Sequence, residues 1–258
     1  MNTHSDNCCL KTRIAIPARL ASTRLPRKLL LRETGKTLLQ HTYEAASRSK
    51  LADSVCVACD HAEIFDEVRR FGGDVVMTDP AAPSGTDRVA EAAADWDDVD
   101  IVVNVQGDEP ELSGESIDLV IRLLQENPDA VMSTLAVPIR SREMLNDPAC
   151  VKVVFDSIGR AMYFSRSSIP AAREWNNALL DENPPLFYQH VGLYAYRRNF
   201  LLELAKTPPA RVERLESLEQ LRVLDAGRTI LVGVVDEATV GIDTPEDYAR
   251  FVERTKTV

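Results

Sequence analysis

Short apolar runs and amphipathic stretches alternate from Arg13 to Val137, and this rhythm constrains the fold more than any other feature of the chain. Arg13–Ile16, Val55–Ala58, Asp74–Met77, Ile101–Val105 and Ala130–Val137 have the length and the Val/Ile content of strands. Between them, Thr37–Ser49, Ala62–Phe71, Arg88–Ala94 and Gly114–Glu126 read as helices. The first places Leu38, Leu39, Thr42, Tyr43, Ala45 and Ala46 on one face, and Gly72-Gly73 stops the second. Ser84 followed by Asp87 supplies a capping-box pattern for the third. Ile101-Val-Val-Asn-Val105 is apolar without interruption, as expected when both faces of a parallel sheet are covered. The alternation predicts an α/β fold with a Rossmann-like, doubly wound, mostly parallel sheet. Its ligand crevice should lie at the C-terminal ends of the strands.

The rhythm changes after Pro138. Val151–Phe155 and Ala161–Phe164 read as antiparallel strands joined by Asp156-Ser-Ile-Gly159, Pro170–Pro185 as a loop, and Gln189–Tyr196 as a further strand. This inserted antiparallel β-rich segment, 138–211, suits substrate selection or dimerisation. Leu215–Ala226 then reads as a helix ended by Gly227, Thr229–Val235 as a strand, and Thr244–Arg254 as a last helix with Pro245 near its first position. Residues 1–10 form a polar, flexible tail, and 11–258 are expected to fold as one domain.

Within this frame the stretch Ile14–Leu31 stands out. Pro17 cannot donate to a central ladder, so the chain is expected to leave the sheet there. Arg19, Arg24, Arg27, Lys28 and Arg32 follow without an acidic residue between Pro17 and Arg32, in a chain of net charge −10. That reversal of sign points to a phosphate-rich polyanion, with an ordinary solvated basic turn as the alternative. Gly-x4-Gly-Lys-Ser/Thr is absent, so cationic side chains must make the phosphate contacts that a P-loop takes from backbone N–H groups.

The composition excludes several classes. An acidic chain with 6% aromatics is not expected to bind nucleic acid. No run of 18 apolar residues is present and Met1–Asn7 lacks the features of a secretory signal, so a cytoplasmic protein without membrane association is expected. Cys8, Cys9, Cys56, Cys59 and Cys150 form no even framework. Cys56 and Cys59, three apart on a strand, should face opposite sides as buried thiols and bind no metal.

Two acidic residues fall just past strands at the predicted crevice, Asp108 and Asp243. Carboxylates facing a cationic phosphate loop are what Mg2+ needs to bridge protein and triphosphate. Asp108 could instead close a turn before Pro110, and Asp243 could cap the helix that Pro245 opens. No Gly-x-Ser-x-Gly elbow is present, and His4, His41, His61 and His190 form no triad pattern. This favours direct displacement at phosphorus by a substrate hydroxyl.

Ile-Pro-Ala-Arg-x-x-Ser-Thr-Arg-Leu-Pro-x-Lys at 16–28, Ser-Gly-Thr-Asp-Arg at 84–88, Asn-Val-Gln-Gly-Asp-Glu-Pro at 104–110 and Thr-Leu-Ala-Val-Pro-Ile at 134–139 are the first of an ordered set of blocks. Val-Lys-Val-Val at 151–154, Tyr-Phe-Ser-Arg at 163–166, His-Val-Gly-Leu-Tyr at 190–194, Leu-Glu-Gln-Leu-Arg-Val-Leu at 218–224 and Gly-Ile-Asp-Thr-Pro-Glu-Asp at 241–247 continue it. The set resembles the 3-deoxy-manno-octulosonate (Kdo) cytidylyltransferases, the CMP-Kdo synthetases, over nearly all of Arg13–Arg254. The resemblance implies a fold of the nucleotide-diphospho-sugar transferase type, and a reaction in which CTP and Kdo give CMP-Kdo and diphosphate for lipopolysaccharide synthesis. It implies that 11–137 mainly bind CTP and that 138–211 serve the sugar and a homodimer interface.

Carried over residue by residue, the resemblance makes Arg19, Arg24 and Lys28 the groups that hold the triphosphate and stabilise the transition state. It makes Asp108 and Asp243 the Mg2+ ligands, and places CTP also against Ala18, Ser84, Gly85 and Gln106. Arg166 would take the Kdo carboxylate, and His190, Glu219 and Gln220 the sugar hydroxyls. Pro83 stands where members of the family often carry Gln, and Lys28-Leu29-Leu30 where they often read Lys-Pro-Leu. Both changes bear on base recognition more than on the reaction. The nearest rivals are cytidylyltransferases for 8-amino-Kdo or a sialic-acid-like sugar, and more distantly a CTP-sensing protein without activity.

Overall fold

The computed structural model describes residues 10–256. Cys8, Cys9 and all of the expected tail except Leu10 lie outside the described residues. In chain order the elements are β1 (Thr12–Ala18), α1 (Leu38–Ala46), β2 (Ser54–Cys59), α2 (Ala62–Arg70), β3 (Asp74–Met77), α3 (Gly85–Ala93), β4 (Ile101–Asn104), α4 (Gly114–Glu126) and β5 (Met132–Pro138). There follow α5 (Arg142–Asn146), β6 (Lys152–Phe155), β7 (Ala161–Ser165), β8 (Tyr188–Arg197), α6 (Arg198–Leu204), α7 (Arg211–Glu216), α8 (Gln220–Asp225), β9 (Ile230–Val234) and α9 (Pro245–Lys256).

The strands form one mixed, mostly parallel sheet of order β3-β2-β1-β4-β8-β5-β9, with the β6–β7 hairpin attached through β8. Side-chain alternation divides the core. Ile14, Ile16, Val55, Val57, Ile101 and Val103 face α1, α2, α4 and α9, while Ala15, Cys56, Ala58 and Val102 face α3, α6, α8 and the hairpin. Each fully buried Ile, Leu or Val removed from water in these layers contributes roughly 1.5–3 kcal/mol. Cys56 and Cys59 lie buried on opposite faces as free thiols, as their spacing requires.

Three details depart from the sequence reading. First, β1 does not end at Pro17 but pairs with β2 as far as Ala18. The ladder to β4 ends at Ala15, whose carbonyl accepts from Val105 N–H, so the missing donor of Pro17 points past the end of β4 and nothing is lost. Second, the expected helix Leu215–Ala226 is two helices, α7 and α8, separated at Ser217, which sits in the left-handed region at φ 53°. Third, β8 lies inside the main sheet, antiparallel between β4 and β5. Its position brings residues of the 138–211 segment into the same core as the first half. No helix among the described residues is long and apolar enough to cross a membrane.

Candidate active site

The C-terminal ends of β1 and β4, the start of α3 and the segment before α9 enclose a polar cleft of about 380 Å3, within the range of small-molecule sites. Arg19, Arg24, Lys28, Ser84, Gly85, Gln106, Asp108 and Asp243 all line it. A larger open groove of about 1270 Å3 beside α4 and α9 gathers none of the sequence-derived candidates. Close approach of the walls depends on Gly107, where an added Cβ would meet the Pro17 carbonyl oxygen at 3.1 Å and Leu29 at 3.4 Å.

The five cations of the first loop separate by partner. Arg27 pairs with Glu63, and Arg32 with Glu67 at 2.6 Å, both acids of α2. These two pin the outside of the loop. At its root, Asp60 accepts from Leu20 N–H at 2.9 Å and faces the buried Arg88 guanidinium at 3.6 Å. Arg19, Arg24 and Lys28 are left facing the cleft.

Lys28 Nζ hydrogen-bonds Asp108 and lies 2.9 Å from Asp243 Oδ1, and Arg24 pairs with Asp243 Oδ2 at 2.9 Å. The alternative roles of the two acids are filled by others. Thr244 and Asp247 cap α9 reciprocally: Asp247 N–H donates to Thr244 Oγ1 at 3.1 Å, and Thr244 N–H to Asp247 Oδ2 at 2.9 Å. Backbone groups close the turn after β4, Glu109 N–H donating to the Gln106 carbonyl at 3.2 Å. Ile242 N–H donates to the Asp108 carbonyl at 2.9 Å, which locks the two acidic segments side by side.

Both carboxylates therefore converge on the Lys28 ammonium, offering hard oxygen donors on either side of it. Among the described residues no group of three or more His, Cys, Asp or Glu forms a metal cage. A hard divalent cation would find two protein ligands here and would need substrate oxygens or water for the rest. Glu109, which the sequence reading passed over, hydrogen-bonds Thr239 at 3.3 Å; burial first, and then the charge of Asp108, push its carboxyl up to about 7. Its place beside Asp108 and before Pro110 was the available signal.

On the opposite wall, Ser84 caps α3, its Oγ accepting from Asp87 N–H at 3.2 Å, so α3 starts at Gly85 rather than Arg88. Gln106 Nε2 donates to Asn104 Oδ1 at 3.3 Å. Pro83 lines the cleft without a donor of its own. Ala18 is not among the lining residues: it is fully buried at the end of β1, its carbonyl accepting from Asp60 N–H at 3.3 Å.

Arg166, His190, Glu219 and Gln220 are not in the lining of this cleft; Arg166 directly follows β7, His190 lies on β8, and Glu219 and Gln220 cap and open α8. The two groups are joined where Thr86 of α3 donates to Glu219 at 2.6 Å. Arg166 extends its guanidinium along the carbonyls of Glu216 at 2.6 Å and Pro148 at 3.1 Å, with no carboxylate against its head group in either bond. His190 is buried against Phe164 and within 3.0 Å of Thr134 Oγ1; burial pushes its pKa down to about 3, so it is a neutral hydrogen-bonding group. Gln220 is buried with its Nε2 lacking a partner, an orphaned donor that a bound hydroxyl would satisfy.

Comparison with known proteins places this geometry among relatives. Residues 14–230 match the family model described as cytidylyltransferase. The chain is 50% identical to a 3-deoxy-manno-octulosonate cytidylyltransferase of Rhodopirellula baltica over 95% of its own length and 98% of the relative's. It is 46% identical to the enzyme of that name from Geobacter sulfurreducens, over 93% and 98% of the two chains. Among solved structures it is similar to CMP:2-keto-3-deoxy-manno-octonic acid synthetase complexed with CTP. That match has a TM-score of 0.88 and 37% identity, and covers 96% of this chain and 99% of the other.

Proposed function

The chain belongs to the 3-deoxy-manno-octulosonate cytidylyltransferase family, and on that premise we propose that its cleft joins CTP to Kdo, giving CMP-Kdo and diphosphate for lipopolysaccharide synthesis. The observation that carries this reading is the single cleft holding Arg19, Arg24 and Lys28 opposite Asp108 and Asp243. It is built for a nucleoside triphosphate, with cations for the phosphates and hard oxygen ligands for a divalent metal.

Arg19, Arg24 and Lys28 bind the triphosphate and neutralise the charge that moves onto the leaving diphosphate. Ser84, Gly85 and Gln106 read the cytosine. Asp108 and Asp243 hold Mg2+, which supplies charge neutralisation at phosphorus when bound. Arg166 holds the carboxylate of the sugar through a planar, bidentate guanidinium, while His190, Glu219 and Gln220 orient its hydroxyls. The anomeric hydroxyl then attacks the α-phosphorus, its bond forming as the bond to diphosphate breaks. No Cys or His is among the residues that line the cleft, and the hydroxyl of Ser84 is engaged as the cap of α3.

The mechanism has a stereochemical test. With one diastereomer of CTP thio-substituted at the α-phosphorus, a single displacement inverts the configuration there. Retention would mean two displacements and a covalent intermediate.

We read the enzyme as cytoplasmic and as a homodimer. The β6–β7 hairpin supports the second reading: among the described residues β7 pairs only with β6, and the hairpin exposes Met162 at 66% on β7 and Ile158 at 68% in its turn. Light scattering on M162D should report a monomer where the parent reports a dimer. An unchanged mass would move the interface elsewhere.

A further inference from the structure

Lys152 is completely buried, at 0% exposure. Its ammonium makes three hydrogen bonds, all to backbone carbonyls: Asp147 at 2.8 Å, Cys150 at 2.5 Å and Arg166 at 2.7 Å. An ammonium has three donors, so its capacity is filled. Burying such a charge against carbonyls alone is expensive, and burial pushes its pKa down. An apolar side chain of similar length would fill the same space at no such cost, so the arrangement points to a task for the donors.

The location supplies the task. Lys152 opens β6 where that strand meets two others. It stands opposite Ser165 of β7 and opposite Gln189 of β8. Arg166 follows Ser165 just past the end of β7 and His190 follows Gln189 on β8, and His190 N–H donates to the Val151 carbonyl at 2.8 Å. Two of the three carbonyls that Lys152 gathers belong to the turn 147–150, and Pro148 of that turn accepts from Arg166 Nη1 at 3.1 Å. The third is the carbonyl of Arg166 itself. One buried cation thus fixes the backbone of Arg166, one of the carbonyls that aims its guanidinium, and the strand junction that sets its spacing from His190.

We propose that Lys152 is the positioning residue of the sugar-carboxylate site, acting through Arg166 and never touching the substrate. The inference rests on the reading of Arg166 as the group that holds the carboxylate of Kdo. Lys152 lies behind that group as its support, and the CTP cleft does not depend on it.

The test is a double-mutant cycle of K152M and R166M, read as separate KM values for Kdo and CTP. K152M should raise the KM for Kdo by about tenfold to a hundredfold, the scale of a misaimed binding group, and leave the KM for CTP within about twofold. The double variant should bind Kdo no worse than R166M alone, because Lys152 has nothing to position once the guanidinium is gone. K152Q, whose amide supplies two donors, should fall between the parent and K152M; if K152M does not accumulate as folded protein, K152Q carries the cycle. Losses that multiply in the double variant, or a parallel rise in the KM for CTP, would overturn the role of Lys152. Wild-type turnover with Kdo is measured first: its absence overturns the activity, whereas multiplicative losses with turnover intact overturn only the positioning role.

Discussion

Lys28 Nζ donates to Asp243 Oδ1 at 2.9 Å and so ties the first loop of the chain to a residue 215 positions further on. The same ammonium reaches Asp108. Without substrate, one cation holds together the two acids that are proposed to carry metal. In the proposed complex with CTP, the same cation would serve the phosphates. K28M should therefore lower kcat by roughly 10²–10³-fold and change the KM for CTP little, because the contact strengthens as charge develops on the leaving diphosphate. Steady-state kinetics at saturating Kdo checks this. A raised KM with kcat preserved would confine Lys28 to ground-state binding.

Asp243 and Thr244 are neighbours with separable duties. D243N should abolish turnover while stability changes by no more than about 1 kcal/mol, since its ion pairs are partly exposed. T244A removes the α9 cap and should cost about 1 kcal/mol with activity retained. Denaturant melts and diphosphate release on both variants decide the matter. If D243N unfolds and keeps activity in its folded fraction, the metal role is wrong.

His190 makes stability depend on pH in a defined window. Its pKa is pushed from 6.5 to about 3 by burial, so below pH 6.5 the unfolded chain takes up a proton that the folded chain refuses. Stability is unaffected above that pH and falls as pH drops from 6.5 toward 3. Between pH 8 and pH 5 the wild type should lose roughly 2 kcal/mol more than H190Q, which has nothing to protonate there. Equal losses in urea melts would show that the imidazole is open to protons in the fold.

Much of this was legible in the sequence because it rests on local chemistry. The alternating runs gave the sheet layers, Ser84 the cap of α3, and the unbroken row of cations one wall of the cleft. What remained hidden depends on partners distant in sequence. Pro17 continues β1 only because β4 ends beside it, which no reading of residues 13–17 could reveal. Arg27 and Arg32 looked equivalent to Arg24 until α2 supplied Glu63 and Glu67. The alternative of Asp243 as a helix cap stayed open in the sequence because its neighbour Thr244, which holds that place, is an equally good cap. Lys152, inside Val-Lys-Val-Val, carries no local sign of complete burial, since alternation on a short strand predicts an exposed lysine there.

The most direct measurement of the central claim is diphosphate release from CTP and Mg2+ with and without Kdo. The account predicts release in step with CMP-Kdo formation when Kdo is present, and none in its absence. No release with Kdo, while another 2-keto acid sugar such as 8-amino-Kdo or a sialic acid supports turnover, would contradict it.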